Sequence, residues 1–197
     1  MTRPAFQIDL ARCTGCLTCR IACRDRADLP DGVDWLRIEA QEGGAFPAPT
    51  LTYRVVHCFH CAEPACVPAC PEQGITRGAD GLVRLDREAC TACGQCAAAC
   101  PFGAIALGPD GAATKCDGCP EEVAAGWEPT CVRACPMRAL GFGPDRPRPG
   151  RVPDGGFDDA GLGPAVSYWK RPPAAAGAAA SLGVDRRPHG CPGGTTP

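Results

Sequence analysis

The chain has 197 residues, with 17 Cys, 25 Gly and 22 Pro but only 6% aromatic residues and two Met. That length suits one or two small domains, and the organic core is thin for it, so folding is expected to depend on bound metal. A net charge of −2 gives no nucleic-acid signal, and no apolar run approaches the roughly 20 residues of a membrane-spanning helix.

Short elements are expected throughout. Ala5–Leu10 alternates as a strand, and a helical turn follows over Ile21–Arg26. Trp35–Ala40 and Leu51–His57 read as strands, and Gly74–Leu85 as a hairpin of Ile75–Arg77 and Leu82–Leu85 around Ala79-Asp80-Gly81. A short helix is expected near Gly94–Ala99, a strand at Ala104–Leu107, a helical turn at Glu121–Ala125 and a closing strand at Ala139–Phe142. Pro144–Gly163 has the composition of a linker, with one possible strand after it at Ala165–Lys170. Pro172–Pro197 reads as disordered, with Cys191 a thiol without a role.

Between these elements lie sixteen cysteines in four groups: Cys13-Cys16-Cys19-Cys23, Cys58-Cys61-Cys66-Cys70, Cys90-Cys93-Cys96-Cys100 and Cys116-Cys119-Cys131-Cys135. Each opens C-x2-C and closes x3-C, and the last three groups end in Cys-Pro. The third matches C-x2-C-x2-C-x3-C-P in every spacing, the bacterial ferredoxin run. The first has Arg24 in place of the proline, the second widens its middle gap to four residues, and the fourth to eleven, Pro120 to Thr130. Two sulfurs of one tight C-x2-C loop reach one cluster, while the fourth cysteine lies past a turn and serves the neighbouring cluster. The proline fixes φ there and turns the chain away. Sixteen thiolates suffice for four [4Fe–4S] clusters, with iron as the metal.

Competing readings are weaker. Structural zinc prefers two separated C-x2-C pairs. A disulfide scaffold needs an oxidising context, and the first ten residues lack both an apolar signal core and a twin arginine, so no signal peptide of the chain's own is expected. Three clusters plus one degenerate group is a further alternative. The expected class is α+β and loop-rich, with two pseudo-symmetric bacterial-ferredoxin-like units of two clusters each. Spacing alone leaves three ways of pairing the groups.

The carrying segments are C-T-G-C-L-T-C-R-I-A-C (13–23), C-F-H-C-A-E-P-A-C-V-P-A-C-P (58–71), C-T-A-C-G-Q-C-A-A-A-C-P (90–101) and K-C-D-G-C-P-E-E-V-A-A-G-W-E-P-T-C-V-R-A-C-P (115–136). In these, over residues 5–145, the chain resembles the electron-transfer subunit of the dimethyl sulfoxide reductase superfamily of molybdoenzymes. The resemblance implies that the first group pairs with the fourth and the second with the third. Residues 1–49 and 102–145 then form one ferredoxin-like unit, 50–101 a second unit inserted into it, and 146–197 a largely irregular Pro/Gly/Ala-rich tail. It implies clusters held by Cys13, Cys16, Cys19 and Cys135; by Cys23, Cys116, Cys119 and Cys131; by Cys58, Cys61, Cys66 and Cys100; and by Cys70, Cys90, Cys93 and Cys96. Some relatives replace the cysteine at the place of Cys93 and hold a [3Fe–4S] centre; Cys93 is present here.

The implied role is non-catalytic: relay of electrons between a molybdenum-cofactor catalytic subunit and an integral-membrane, quinone-linked subunit, with membrane association through those partners. The alternatives are an iron–sulfur subunit of a soluble formate dehydrogenase or formate–hydrogenlyase-type complex, which the long fourth-group gap disfavours, and a free polyferredoxin. His57 and His60 flank Cys58, but all four cysteines of that group are present, so histidine ligation of the Rieske kind is not expected. A histidine here or Lys115 is read either as tuning a cluster or as an ordinary exposed side chain. Trp35, Trp127 and Trp169 are read as packing residues and Gly43-Gly44 as loop punctuation. There is no nucleophile–base set, phosphate loop or dinucleotide motif.

Overall fold

A computed structural model describes residues 3–173. Residues 174–197, including Cys191 and most of the expected disordered tail, lie outside the described residues. The elements are short because cysteine loops interrupt the chain every few residues. In order they are β1 (Ala5–Asp9), α1 (Thr18–Arg26), β2 (Arg37–Ala45), β3 (Ala48–Val56), β4 (Ile75–Arg77), β5 (Val83–Leu85), α2 (Gln95–Ala99), β6 (Ile105–Leu107), β7 (Ala113–Lys115), α3 (Pro120–Ala124), α4 (Thr130–Arg133), β8 (Leu140–Gly143), β9 (Val152–Pro153) and β10 (Val166–Lys170).

A four-stranded sheet has the order β8-β1-β10-β9, with β1 antiparallel to β8 and parallel to β10. The other six strands form three hairpins, β2–β3, β4–β5 and β6–β7. Phe6 and Ile8 of β1 are buried with Leu140 of β8 and Tyr168 of β10. The same core takes in Val55 of β3, Phe59 and three cysteines. A second core joins Ile75, Val83, Ile105 and Ala113 to Cys66 and Cys96. The hairpin β6–β7 therefore packs on the strands and helix of the second and third cysteine groups.

Four expectations need correction. Pro144–Gly163 is not a linker, and the strand expected at Ala165–Lys170 forms as β10. Asp154, 9% exposed at its side chain, pairs with Arg54 (2.7 Å) and Lys170 (3.1 Å). The Arg54 guanidinium lies over the rings of Phe157 and Tyr168, 5.6 and 5.0 Å from their centroids. Gly163, Leu162 and Ala165 exchange backbone hydrogen bonds with Ala62, Glu63 and Phe59. The polar composition of this stretch is thus spent on specific partners, and it closes the sheet over the second cysteine loop.

The strands expected at Trp35–Ala40 and Leu51–His57 also run further, through Gly43-Gly44, to make an arm with nine residues on each side. The distal half is exposed on all sides, with Phe46 at its tip 95% exposed. At its base Tyr53 lies against the first cysteine loop, where a Cβ at Gly15 would sit 2.6 Å from the ring. Finally, β7 was not expected, and Trp127 is exposed with the Arg133 guanidinium over it, 5.4 Å from its centroid, so it does not pack in the core.

Candidate iron–sulfur centres

The loops present the cysteines in a common way. In every C-x2-C the residue before the second cysteine has positive φ: Gly15 (69°), His60 (46°), Ala92 (57°) and Gly118 (82°). This left-handed step folds the loop back so that both sulfurs point inward. A helix then spaces the later cysteines. Cys19 and Cys23 are i and i+4 on α1, both buried, so their sulfurs lie one turn apart on one face. One helix face thereby reaches two neighbouring sites. The x3 spacing is repeated by Cys96 and Cys100 at α2 and by Cys131 and Cys135 at α4.

Thiols from distant groups meet. Cys19 is pushed up to about 12, first by burial and then by Cys13, Cys135 and Cys16 beside it. Cys23 is likewise pushed up to about 12 by burial, then by Cys119 and Asp117. Burial raises Cys116 and Cys131 well above the ordinary thiol value; Cys131 and Cys23 face the first, Cys119 and Cys23 the second. Cys61 is pushed up to about 12 by burial, then by Cys58, Cys100 and Cys66. Cys58, Cys61, Cys66 and Cys100 line one void of about 20 Å³, and Cys70, Cys90, Cys93 and Cys96 a second of the same size.

Adjacent sets also touch. Cys131 faces Cys19 of the first set, and Cys116 faces Cys58 of the third. Cys66 and Cys96 share one core. Cys16 and Cys93 are the exposed members of the sixteen.

This donor set fits an iron–sulfur cluster. The sixteen grouped cysteines are all free thiols. Buried neutral thiols become thiolates when a cationic metal core balances their charge. Among the described residues no three His, Cys, Asp or Glu side chains converge closely enough for a single ion; the thiols ring a void instead. Backbone N–H groups aim at two of the sulfurs, Ala113 at Cys90 Sγ (3.4 Å) and Ala139 at Cys135 Sγ (3.3 Å), contacts of the kind that tune a cluster. Arg26 fastens α1 to the Cys116–Cys119 loop through Asp117 at 3.0 Å, and Asp117 in turn accepts the Cys119 N–H at 2.8 Å.

The polar residues singled out in the sequence are not exposed side chains. His57 and His60 are both 2% exposed. Burial pushes His57 down to about 4, while its Nδ1 donates to the Cys58 carbonyl at 2.8 Å. Burial lowers His60 well below its usual value, and its Nδ1 accepts the Val83 N–H at 3.0 Å. Both rings serve the backbone around the second cysteine loop. Lys115 is buried as well.

Comparison with known proteins agrees with this chemistry. Residues 50–145 match a family described as a 4Fe-4S dicluster domain, and residues 10–26 a 4Fe-4S binding domain. The chain is 41% identical over 139 residues to the B chain of the anaerobic dimethyl sulfoxide reductase of Escherichia coli (strain K12), covering 66% of this chain and 68% of that one. It is 37% identical over 127 residues to the thiosulfate reductase electron transfer subunit PhsB of Salmonella typhi, covering 62% and 66%. It is 37% identical over 120 residues to the B subunit of the tetrathionate reductase of Archaeoglobus fulgidus, covering 59% and 55%.

Proposed function

This protein is a member of the family of iron–sulfur B chains of dimethyl sulfoxide reductase, and from that premise we propose that it is the wire between a molybdenum-cofactor catalytic subunit and a quinol-linked integral-membrane subunit. It is a non-catalytic electron-transfer subunit that carries [4Fe–4S] clusters. Four such clusters are held, in order, by Cys13, Cys16, Cys19 and Cys135; Cys23, Cys116, Cys119 and Cys131; Cys58, Cys61, Cys66 and Cys100; and Cys70, Cys90, Cys93 and Cys96. The observation that supports this order is the row of facing thiols, exposed at Cys16 and Cys93. Each cluster, when bound, supplies a one-electron redox centre. The chain's own residues supply thiolate ligands, N–H groups directed at sulfur, and an apolar wall that keeps water from the inner sites.

In this reading, residues 1–49 and 102–145 form one ferredoxin-like unit and 50–101 a pseudo-symmetric second unit inserted into it. The packing of β6–β7 on the second core draws the hairpin of residues 105–115 toward the inserted unit. The catalytic subunit contacts the end bearing Cys16, beside the base of the β2–β3 arm, and the membrane subunit contacts the end bearing Cys93. Among the described residues no helix is long and apolar enough to cross a membrane, so membrane association runs through the partners.

The test is Cys93→Ser in the assembled complex. Quinol-linked turnover is expected to stop while the catalytic subunit's activity with an artificial dye donor survives. Loss of both activities from an intact complex would overturn the assignment of the Cys93 end.

A further inference from the structure

Lys115 is 4% exposed, the one lysine in the buried core of the described residues. Its ammonium donates to the Val83 carbonyl and, at 3.0 Å, to the Cys116 carbonyl. These are neutral acceptors. The carboxylate closest along the chain, Asp117, is engaged by Arg26 instead, and no described carboxylate pairs with Lys115. A buried cation without a counter-charge is costly, because carbonyl dipoles replace only part of its hydration.

The residues around the ammonium identify where the missing negative charge lies. Lys115 is bonded to the backbone of Cys116, in the second set, and to Val83, which lines the void of the third set. It therefore sits where the second and third sets adjoin, near the Cys58–Cys116 approach. A cubane held by four thiolates is anionic overall, and becomes more so on reduction.

We propose that Lys115 is the shared counter-cation of the two inner cluster sites, a positioning residue that raises their reduction potentials. A fixed positive charge in a dry, low-dielectric junction favours the added electron. Without it the two inner sites would be harder to reduce. The inference rests on the four-cluster reading and adds a role that cysteine ligation alone does not supply.

The experiment compares Lys115→Met and Lys115→Arg in the cluster-loaded full-length protein, using iron analysis and EPR-monitored redox titration. An iron content of about sixteen in the unmodified protein secures the four-cluster reading independently. With iron retained, Lys115→Met is expected to move one or both of the inner couples, those of the Cys23 and Cys58 sets, to lower potential. The Cys13-set couple should stay in place, and Lys115→Arg should keep all four near their original values. Unchanged potentials in an iron-replete Lys115→Met protein would overturn the proposal. If Lys115→Met loses iron, Lys115→Arg decides. Full iron with original potentials there supports a requirement for charge; the same loss there shows that Lys115 acts by shape alone, and the proposal falls.

Discussion

Two of the four left-handed loop residues are not glycine, and they are handled differently. An L-residue at positive φ costs about 1–3 kcal/mol unless its surroundings hold it. His60 is held: its ring accepts the Val83 N–H, and Arg3 donates to its carbonyl at 3.3 Å. Ala92 has no side chain with which to be held. Replacing it by glycine is expected to relieve strain, raising the stability of the cluster-loaded protein by roughly 1 kcal/mol. The converse change, Gly118→Ala, places a Cβ 2.9 Å from Leu82 at a φ of 82° and should destabilise it. Thermal denaturation monitored by the cluster absorbance checks both. Equal midpoints for the two variants would show that the left-handed step does not limit the loops. In the sequence, Gly15 and Gly118 are legible as turn residues. His60 and Ala92 are not, because their conformation is imposed by neighbours rather than by their own preference.

At the scale of elements, local chemistry was readable and long-range pairing was not. The hairpin β4–β5 follows from Gly78-Ala79-Asp80-Gly81, in which Asp80 Oδ1 accepts the Leu82 N–H at 3.1 Å. The same device recurs at Gly108-Pro109-Asp110-Gly111, with Asp110 Oδ1 accepting the Ala112 N–H at 3.1 Å. That repeat was the available signal for β7, whose Ala-Thr-Lys has no strand pattern of its own. The placement of β10 had no local signal, since it depends on parallel pairing with β1 across about 160 residues. Tyr168 secures it by donating to the Val55 carbonyl at 2.6 Å, both groups being buried. Tyr168→Phe leaves that carbonyl unsatisfied and is expected to cost about 1–2 kcal/mol, lowering the thermal midpoint with iron content unchanged. An unaltered midpoint would mean that β10 contributes nothing to holding the second cysteine loop.

At the scale of the whole molecule, cysteine takes the place of a conventional core. All three apolar cores of the described residues contain cysteines, and Phe102, Phe157 and Tyr168 gather around Phe59. Cysteine spacing alone made the chemistry of the sites legible. The order of the sites was not, because it is set by which loops the sheet and helices bring face to face. In the proposed wire the thiols run from exposed Cys16 to exposed Cys93, an arrangement suited to passing electrons through. What defines such a wire is the number and kind of its clusters. Iron and acid-labile sulfide analysis of the anaerobically purified full-length protein tests it most directly. About sixteen of each per polypeptide are expected, from four cubanes, without stoichiometric zinc. A plateau near eight irons with all sixteen cysteines intact, or zinc in stoichiometric amount, would contradict it.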